Sequence, residues 1–233
     1  MTVQEKQAIY DHMLDLMRDS AHDREHVRRV MRLCDHLSAY YPEADRDVLY
    51  AAACLHDIGR AAQFADPSVD HAQWGAQAAY AYLLSIGWEE SRAAHVRDCI
   101  RTHRYRGHDQ PATIEAKLLF DSDKLDVLGA IGVARTLLYN GTIGTPIYEP
   151  RELDDDAFRS EESFLTEYRR KLCNASARLY TQQARKVAAQ RDRTMRAFVD
   201  ALLREARAED ILGTHVPASD ERTLLREARA EDI

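Results

Sequence analysis

The spacing of apolar residues is the strongest constraint on how this chain folds. Between residues 24 and 41, Val27, Val30, Met31, Leu33, Cys34 and Leu37 recur every three or four positions, with basic residues between them. That period lines one side of an α-helix and leaves the other side in water. Asp23 suits the N-cap, and Pro42 stops the helix. The same reading predicts helices over about 45–56, 70–84, 89–103, 113–139 and 161–209, with Gly59 and Gly87 at two of the ends. The alternation and β-branched clusters of a sheet are missing. The expected fold is all-α, a bundle of helices.

A chain of 233 residues can form one large single-core domain or two small ones. Its net charge of −7 argues against a surface built to neutralise a nucleic acid polymer. A small phosphorylated substrate stays compatible, because one cation in a pocket reverses the local sign. Cys34, Cys54, Cys99 and Cys173 show no CxxC spacing and read as reduced, packed thiols. The first twenty residues are too charged for a signal peptide, and no apolar run is long enough to span a bilayer. A cytoplasmic location without a membrane partner is the expectation.

Two segments stand apart. Residues 140–160 hold Gly141, Gly144, Pro146, Pro150 and the run Asp154-Asp155-Asp156. Loops of this length serve as lids, binding loops or mobile segments. Following the helix that carries Asp123, this one is expected to fold back as a lid, with Tyr148 stacking on a base. Further on, LLREARAEDI at 202–211 recurs letter for letter at 224–233 after a linker-like Gly213-Thr214-His215-Val216-Pro217. Two copies are too few for a solenoid. The division is therefore 1–212 as the functional domain and 213–233 as linker plus duplicated helical tail. The tail is expected to be dispensable for chemistry, and packing it on a second copy would make a homodimer.

Chemistry concentrates at His56-Asp57, two ligand-capable side chains at the end of the apolar run Ala51-Ala52-Ala53-Cys54-Leu55. Burying both without a partner would cost several kcal/mol, roughly; a metal ion removes that cost. Asp121-Ser122-Asp123-Lys124-Leu125-Asp126 adds three carboxylates between apolar flanks. In a helix Asp123 and Asp126 share a face while Asp121 points elsewhere. One of the pair could ligate metal and the other orient a histidine or water. His26 lies on the apolar stripe of the first helix described, where an isolated histidine is usually a hydrogen-bonded core residue.

The order EHVRRV, LHDIG, HAQWGAQAA, IRTH and DSDKLDVLGAIGVAR resembles the HD-domain phosphohydrolases, within them the small bacterial hydrolases that act on nucleotides. The resemblance runs from about His22 to Arg196 and implies an HD-domain helical bundle. It implies His26, His56, Asp57 and Asp123 as ligands of a divalent metal, with manganese, iron(II) or zinc favoured over magnesium by the mixed N/O set. His71 and His103 match positions that complete a second site in two-metal relatives. The double histidine of some such relatives is missing, since Arg104 follows His103, so a one-metal site with both rings contacting phosphate or moving protons is favoured. His95 reads as packed or surface, His22 as either a second layer or a helix start, and His108 as solvated. Asp57 or Asp126 is the expected proton acceptor. Lys124, Arg29 and Arg104 (with Arg106) are the expected phosphate contacts. The implied activity is hydrolysis of (deoxy)nucleoside triphosphates or related phosphate esters, a small-molecule nucleotide being the partner. The alternatives are a cyclic- or dinucleotide phosphodiesterase of the same fold and a non-catalytic nucleotide-binding module.

Overall fold

The computed structural model describes residues 1–17, 21–104, 109–209 and 211. The side chain of His22, the segment with Arg106 and His108, and the tail at 213–233 lie outside the described residues. The helices are α1 Val3–Leu16, α2 Ala21–Ser38, α3 Arg46–Leu55, α4 Arg60–Ala65, α5 His71–Ser85, α6 Glu90–Arg101, α7 Ile114–Leu125, α8 Gly129–Ile143, α9 Pro150–Asp154, α10 Phe164–Arg170 and α11 Gln182–Ala206, with a 3₁₀ turn at Leu172–Arg178 before the last. No strand occurs among the described residues, so the all-α expectation holds. No helix among them is long and apolar enough to cross a membrane.

α3 lies at the centre, against α1, α2, α6 and α7. Asp45 starts it by accepting from the Asp47 and Val48 amides at 2.9 and 3.1 Å. Its alanines leave room for neighbours on all sides, and every residue from Ala51 to Leu55 is buried. Val27, Val30 and Cys34 of α2 and Leu118, Leu119 and Leu125 of α7 close over it. The apolar stripe read from α2 is therefore its core face. All four cysteines are free thiols, three of them buried.

Two long helices expected from the sequence are each interrupted. The stretch expected as 113–139 breaks at Asp126–Leu128, and Gly129 opens α8 at φ +73, a conformation that favours glycine. The stretch 161–209 splits because the buried Asp121 carboxylate accepts from the Tyr180 amide (2.8 Å), the Thr181 amide (2.7 Å) and the Thr181 hydroxyl (2.6 Å). These bonds fasten the chain where α11 begins, and α11 then packs along α8.

The lid expected at 140–160 is not what forms. Pro146 and Ile147 carbonyls accept from the Phe164 and Leu165 amides, each at 3.0 Å. Glu152, fully buried on α9, accepts from Thr166 and Ser163 hydroxyls at 2.6 and 2.7 Å. Tyr148, expected to stack on a base, instead packs half-buried against the hydrophobic core. The segment is fastened to α10 by its own polar side chains.

Gly59 and Gly75 set how closely α5 approaches the turn after Asp57. A Cβ on Gly59 would lie 2.2 Å from the His71 carbonyl oxygen, and one on Gly75 would lie 3.2 Å from the Gly59 amide nitrogen. Both obstacles are backbone, which cannot rotate away. Gly59→Ala should lower unfolding stability by about 1–3 kcal/mol. Gly141→Ala, on α8 with open space around it, should raise stability by about 0.5–1 kcal/mol. Urea unfolding of both variants checks the contrast, and equal shifts would refute the close-contact argument.

Candidate metal centre and active site

Five chain segments converge on one buried cluster: His26 from α2, His56 and Asp57 after α3, His71 at the start of α5, His103 after α6, and Asp123 with Asp126 at the end of α7. Each imidazole is held by one ring nitrogen. His56 Nδ1 donates to the Ala53 carbonyl (2.8 Å) and His103 Nδ1 to the Ile100 carbonyl (2.6 Å). His71 Nδ1 donates to Gln63 Oε1 (2.7 Å), and His26 Nδ1 to Asp126 Oδ2 (2.7 Å). These acceptors fix the Nδ1–H tautomer of neutral His56, His71 and His103 and turn all four Nε2 atoms inward.

The inward atoms form two groups. Nitrogen or oxygen atoms of His26, His56 and Asp123 lie within 4.8 Å of one another, and so do those of Asp57, His71 and His103. His26 Nε2 is 3.3 Å from His56 Nε2 and 3.2 Å from Asp123 Oδ1. Asp57 joins the groups: its Oδ2 is 3.6 Å from both His26 Nε2 and His56 Nε2. Its Oδ1 faces His71 Nε2 at 3.4 Å and His103 Nε2 at 3.7 Å. The Nε2 atoms of His26 and His56 face each other across 3.3 Å, and the buried His71 Nε2 has no hydrogen-bond partner. Such an arrangement could hold a cation between the donors, and the N/O set fits a divalent one.

The electrostatics agree. Burial works against the charge on Asp57, yet His56, His103, Arg60 and His26 hold its carboxyl well below the usual range. Asp123 is also held well below that range, burial being overcome by Lys124 and His26. Burial alone would push His26 down, but the Asp123 and Asp126 carboxylates raise it to about 9. Burial takes His56 down to about 4 and, with the Arg60 guanidinium, His71 down to about 3.

The expected roles divide. His26, His56, Asp57 and Asp123 come together as the sequence implied. His71 and His103, expected at phosphate, instead sit with Asp57 as a second ligand-like group. Asp126, an expected proton acceptor, has no open oxygen for that task. One oxygen takes Arg29 Nε at 2.6 Å; the other takes Arg135 at 2.6 Å, His26 at 2.7 Å and a second Arg29 nitrogen at 3.0 Å. It orients His26. Arg29, expected at phosphate, is correspondingly clamped to Asp126, and Lys124 pairs with Asp123 Oδ2 at 2.6 Å. Arg104 turns instead to Asp70, the N-cap of α5, at 3.0 Å. His95 contacts Thr113 and Glu115, outside the cluster.

A cavity of about 510 Å³ opens beside Asp57, lined also by Arg60, Gln63, Phe64, Pro67, Val127, Arg135, Thr136, Tyr139 and Glu167. Sequence reasoning assigned none of these neighbours a role. Arg60 and Arg135 had a visible signal, since Arg60 follows HDIG and Arg135 ends GAIGVAR. Phe64 and Tyr139 had none beyond being aromatic.

These protonation states set the pH response of the protein stripped of metal. His26 is raised in the folded state, so its stabilising contribution is complete below about 6.5 and is lost as pH rises through about 9. His56 and His71 are depressed, so the unfolded chain binds their protons first and stability falls as pH drops from about 6.5 towards 4. Urea unfolding in chelator should therefore be most resistant near pH 6.5, losing roughly 1–3 kcal/mol by pH 9. The upper limb should vanish in His26→Gln. A flat profile from pH 6.5 to 9 would contradict the His26–Asp123–Asp126 arrangement.

The HD domain family model matches residues 24–128, which contain every member of the cluster. YpgQ of Bacillus subtilis is 28% identical over 188 residues, spanning 78% of this chain and 83% of YpgQ. The crystal structure of an HD-superfamily hydrolase from Bacillus thuringiensis aligns with a TM-score of 0.69 at 28% identity, over 88% of this chain and 98% of that one. A crystal structure of B. subtilis YpgQ in complex with ADP aligns with a TM-score of 0.67 at 24% identity, over 91% and 97% of the two chains, and supports the fold. Residues 24–128 thus match the HD domain, and the chain has the fold of HD-superfamily hydrolases.

Proposed function

We propose that this protein is a metal-dependent phosphohydrolase acting on nucleotides, with (deoxy)nucleoside triphosphates or related phosphate esters as substrates. The observation that carries the proposal is the placement of Asp57. It joins two inward-facing imidazole groups on one side and opens to a cavity with Arg60 and Arg135 on the other. The same relative, YpgQ, has been crystallised with ADP, which supports a nucleotide as the ligand class.

His26, His56, Asp57 and Asp123 would hold the cation, with manganese, iron(II) or zinc suited to their mixed nitrogen and oxygen donors. When bound, a divalent cation acidifies water and relieves charge on phosphoryl oxygens. The chain's own residues do the rest. Asp126 fixes the His26 ring, and Arg29 and Arg135 hold Asp126 ionised. Arg60, 3.1 Å from Asp57 Oδ1, brings positive charge to the cavity wall where a phosphate would lie. Val127, Pro67 and Phe64 give that wall an apolar side suited to the rest of a nucleotide.

One observation favours a second reading, a phosphodiesterase for a cyclic or dinucleotide messenger. Asp57, His71 and His103 make a complete second group, which would suit a second cation.

Alanine at His26, His56, Asp57 or Asp123 should reduce both bound metal and turnover, Asp57→Ala by roughly a hundredfold or more in kcat. Asp126→Asn should weaken metal affinity by about 10–100-fold, because it loosens His26 rather than removing a ligand. Elemental analysis together with a nucleotide panel checks both, and full metal retention by Asp57→Ala and Asp123→Ala would sink the assignment. His71→Ala separates the two readings. Unchanged metal with a raised KM assigns the ring to substrate, whereas loss of one of two equivalents favours the phosphodiesterase.

A further inference from the structure

A second cavity, about 290 Å³, lies beyond the first, and Tyr139 and Glu167 line both. The two therefore meet along one flank of α8. Arg135, Thr136 and Tyr139, spaced i, i+1 and i+4, face the first cavity, and Tyr139, Asn140 and Ile143 face the second. Along the helix axis Arg135 and Asn140 are separated by about 7–8 Å, a span suited to a pentose between a phosphate and a base.

Two features of the far cavity ask for a ligand. Asn140 is only 4% exposed, and its side-chain Nδ2 has no hydrogen-bond partner. Buried amides are nearly always paired, so an unpaired one lining a cavity points to an acceptor supplied from outside the chain. Tyr139 sits where the cavities meet and is 58% exposed, an open ring face of the kind on which bases stack. Glu167, shared by both cavities, adds an acceptor for base or sugar N–H and O–H groups.

We propose that α8 is the specificity element of the site. The nucleoside end of the substrate lies along it, with the sugar near Thr136, the base against Tyr139, and an acceptor on the base edge bonded to Asn140. This rests on the nucleotide reading above and adds which residues recognise the part of the substrate that does not react. Asn140 and Tyr139 touch the substrate without taking part in bond cleavage.

The test uses the metal-loaded full chain and the variants Tyr139→Ala and Asn140→Leu, with nucleoside triphosphates and base-free tripolyphosphate as substrates. The expected result is a rise in KM for the nucleotides that exceeds the change for tripolyphosphate by roughly tenfold in each variant. Equal changes on both substrates, or none on nucleotides, would overturn the proposal. Should Asn140→Leu fail to fold, Tyr139→Ala decides alone, because its ring is largely exposed. Calorimetric binding of ADP keeps the inference separate from the activity. If the wild-type chain hydrolyses no nucleotide yet binds ADP, a roughly tenfold loss of affinity in the variants upholds the cleft while the hydrolase reading fails. Unchanged ADP affinity in the variants, or no ADP binding by the wild type, overturns the cleft itself.

Discussion

A carboxylate that must stay ionised with almost no water around it is the constraint to which the other parts of this structure answer. Asp57 is buried, and its ionised form is favoured by His56, by a hydrogen bond from His103, and by Arg60 and His26. Those residues arrive from separate helices, so the helices can pack only in ways that bring the rings and the guanidinium to the same point. Removing one partner of such a buried set generally costs about 3–5 kcal/mol, because the remaining charge is left uncompensated. Fold and site are for this reason one problem. The same helices that bury Leu55, Leu118 and Leu125 also carry His56, Asp123 and Asp126 in neighbouring positions.

The hydrogen bonds behind the inward-facing rings decide how those rings point. His56 and His103 are each fixed by a carbonyl three residues earlier, a bond within the same turn of chain. His26 and His71 depend on side chains instead, Asp126 across 100 residues and Gln63 across eight. The first pair is thus set by local backbone geometry. The second is set by tertiary packing, with Asp126 itself braced by two arginines.

Much of this was legible in the sequence, for definable reasons. The period of Val27, Val30, Cys34 and Leu37 survives as the buried face of α2, because amphipathic spacing needs no knowledge of the partner helix. His56-Asp57 stood out because an alanine-rich buried helix ends in two groups that cannot be buried uncompensated. What was hidden depends on contacts between residues far apart in the chain. Asp121 interrupts a predicted helix by bonding to Tyr180 and Thr181, and nothing near Asp121 announces it. Glu152 sits in the segment read as a lid, yet it becomes a buried hub because Ser163 and Thr166 come to meet it. Tyr148 followed the fate of that loop. Arg135 lay inside a recognisable motif and Arg60 directly after one, but a charged residue on a helix looks like surface until the cavity it faces is known.

The contact between Gly59 and Gly75 has a consequence for how a lineage of such chains can vary. The first glycine is two residues past Asp57, and a Cβ there would strike the backbone of His71. Gly59 can acquire a side chain only if α5 retreats and Gly75 only with a smaller shift, and a retreat would draw His71 away from Asp57. A side chain at either position therefore reaches the buried cluster through the backbone of α5. Exposed positions such as Leu138 on α8 carry no such constraint, because a side chain exchanged there displaces no backbone beside the buried cluster.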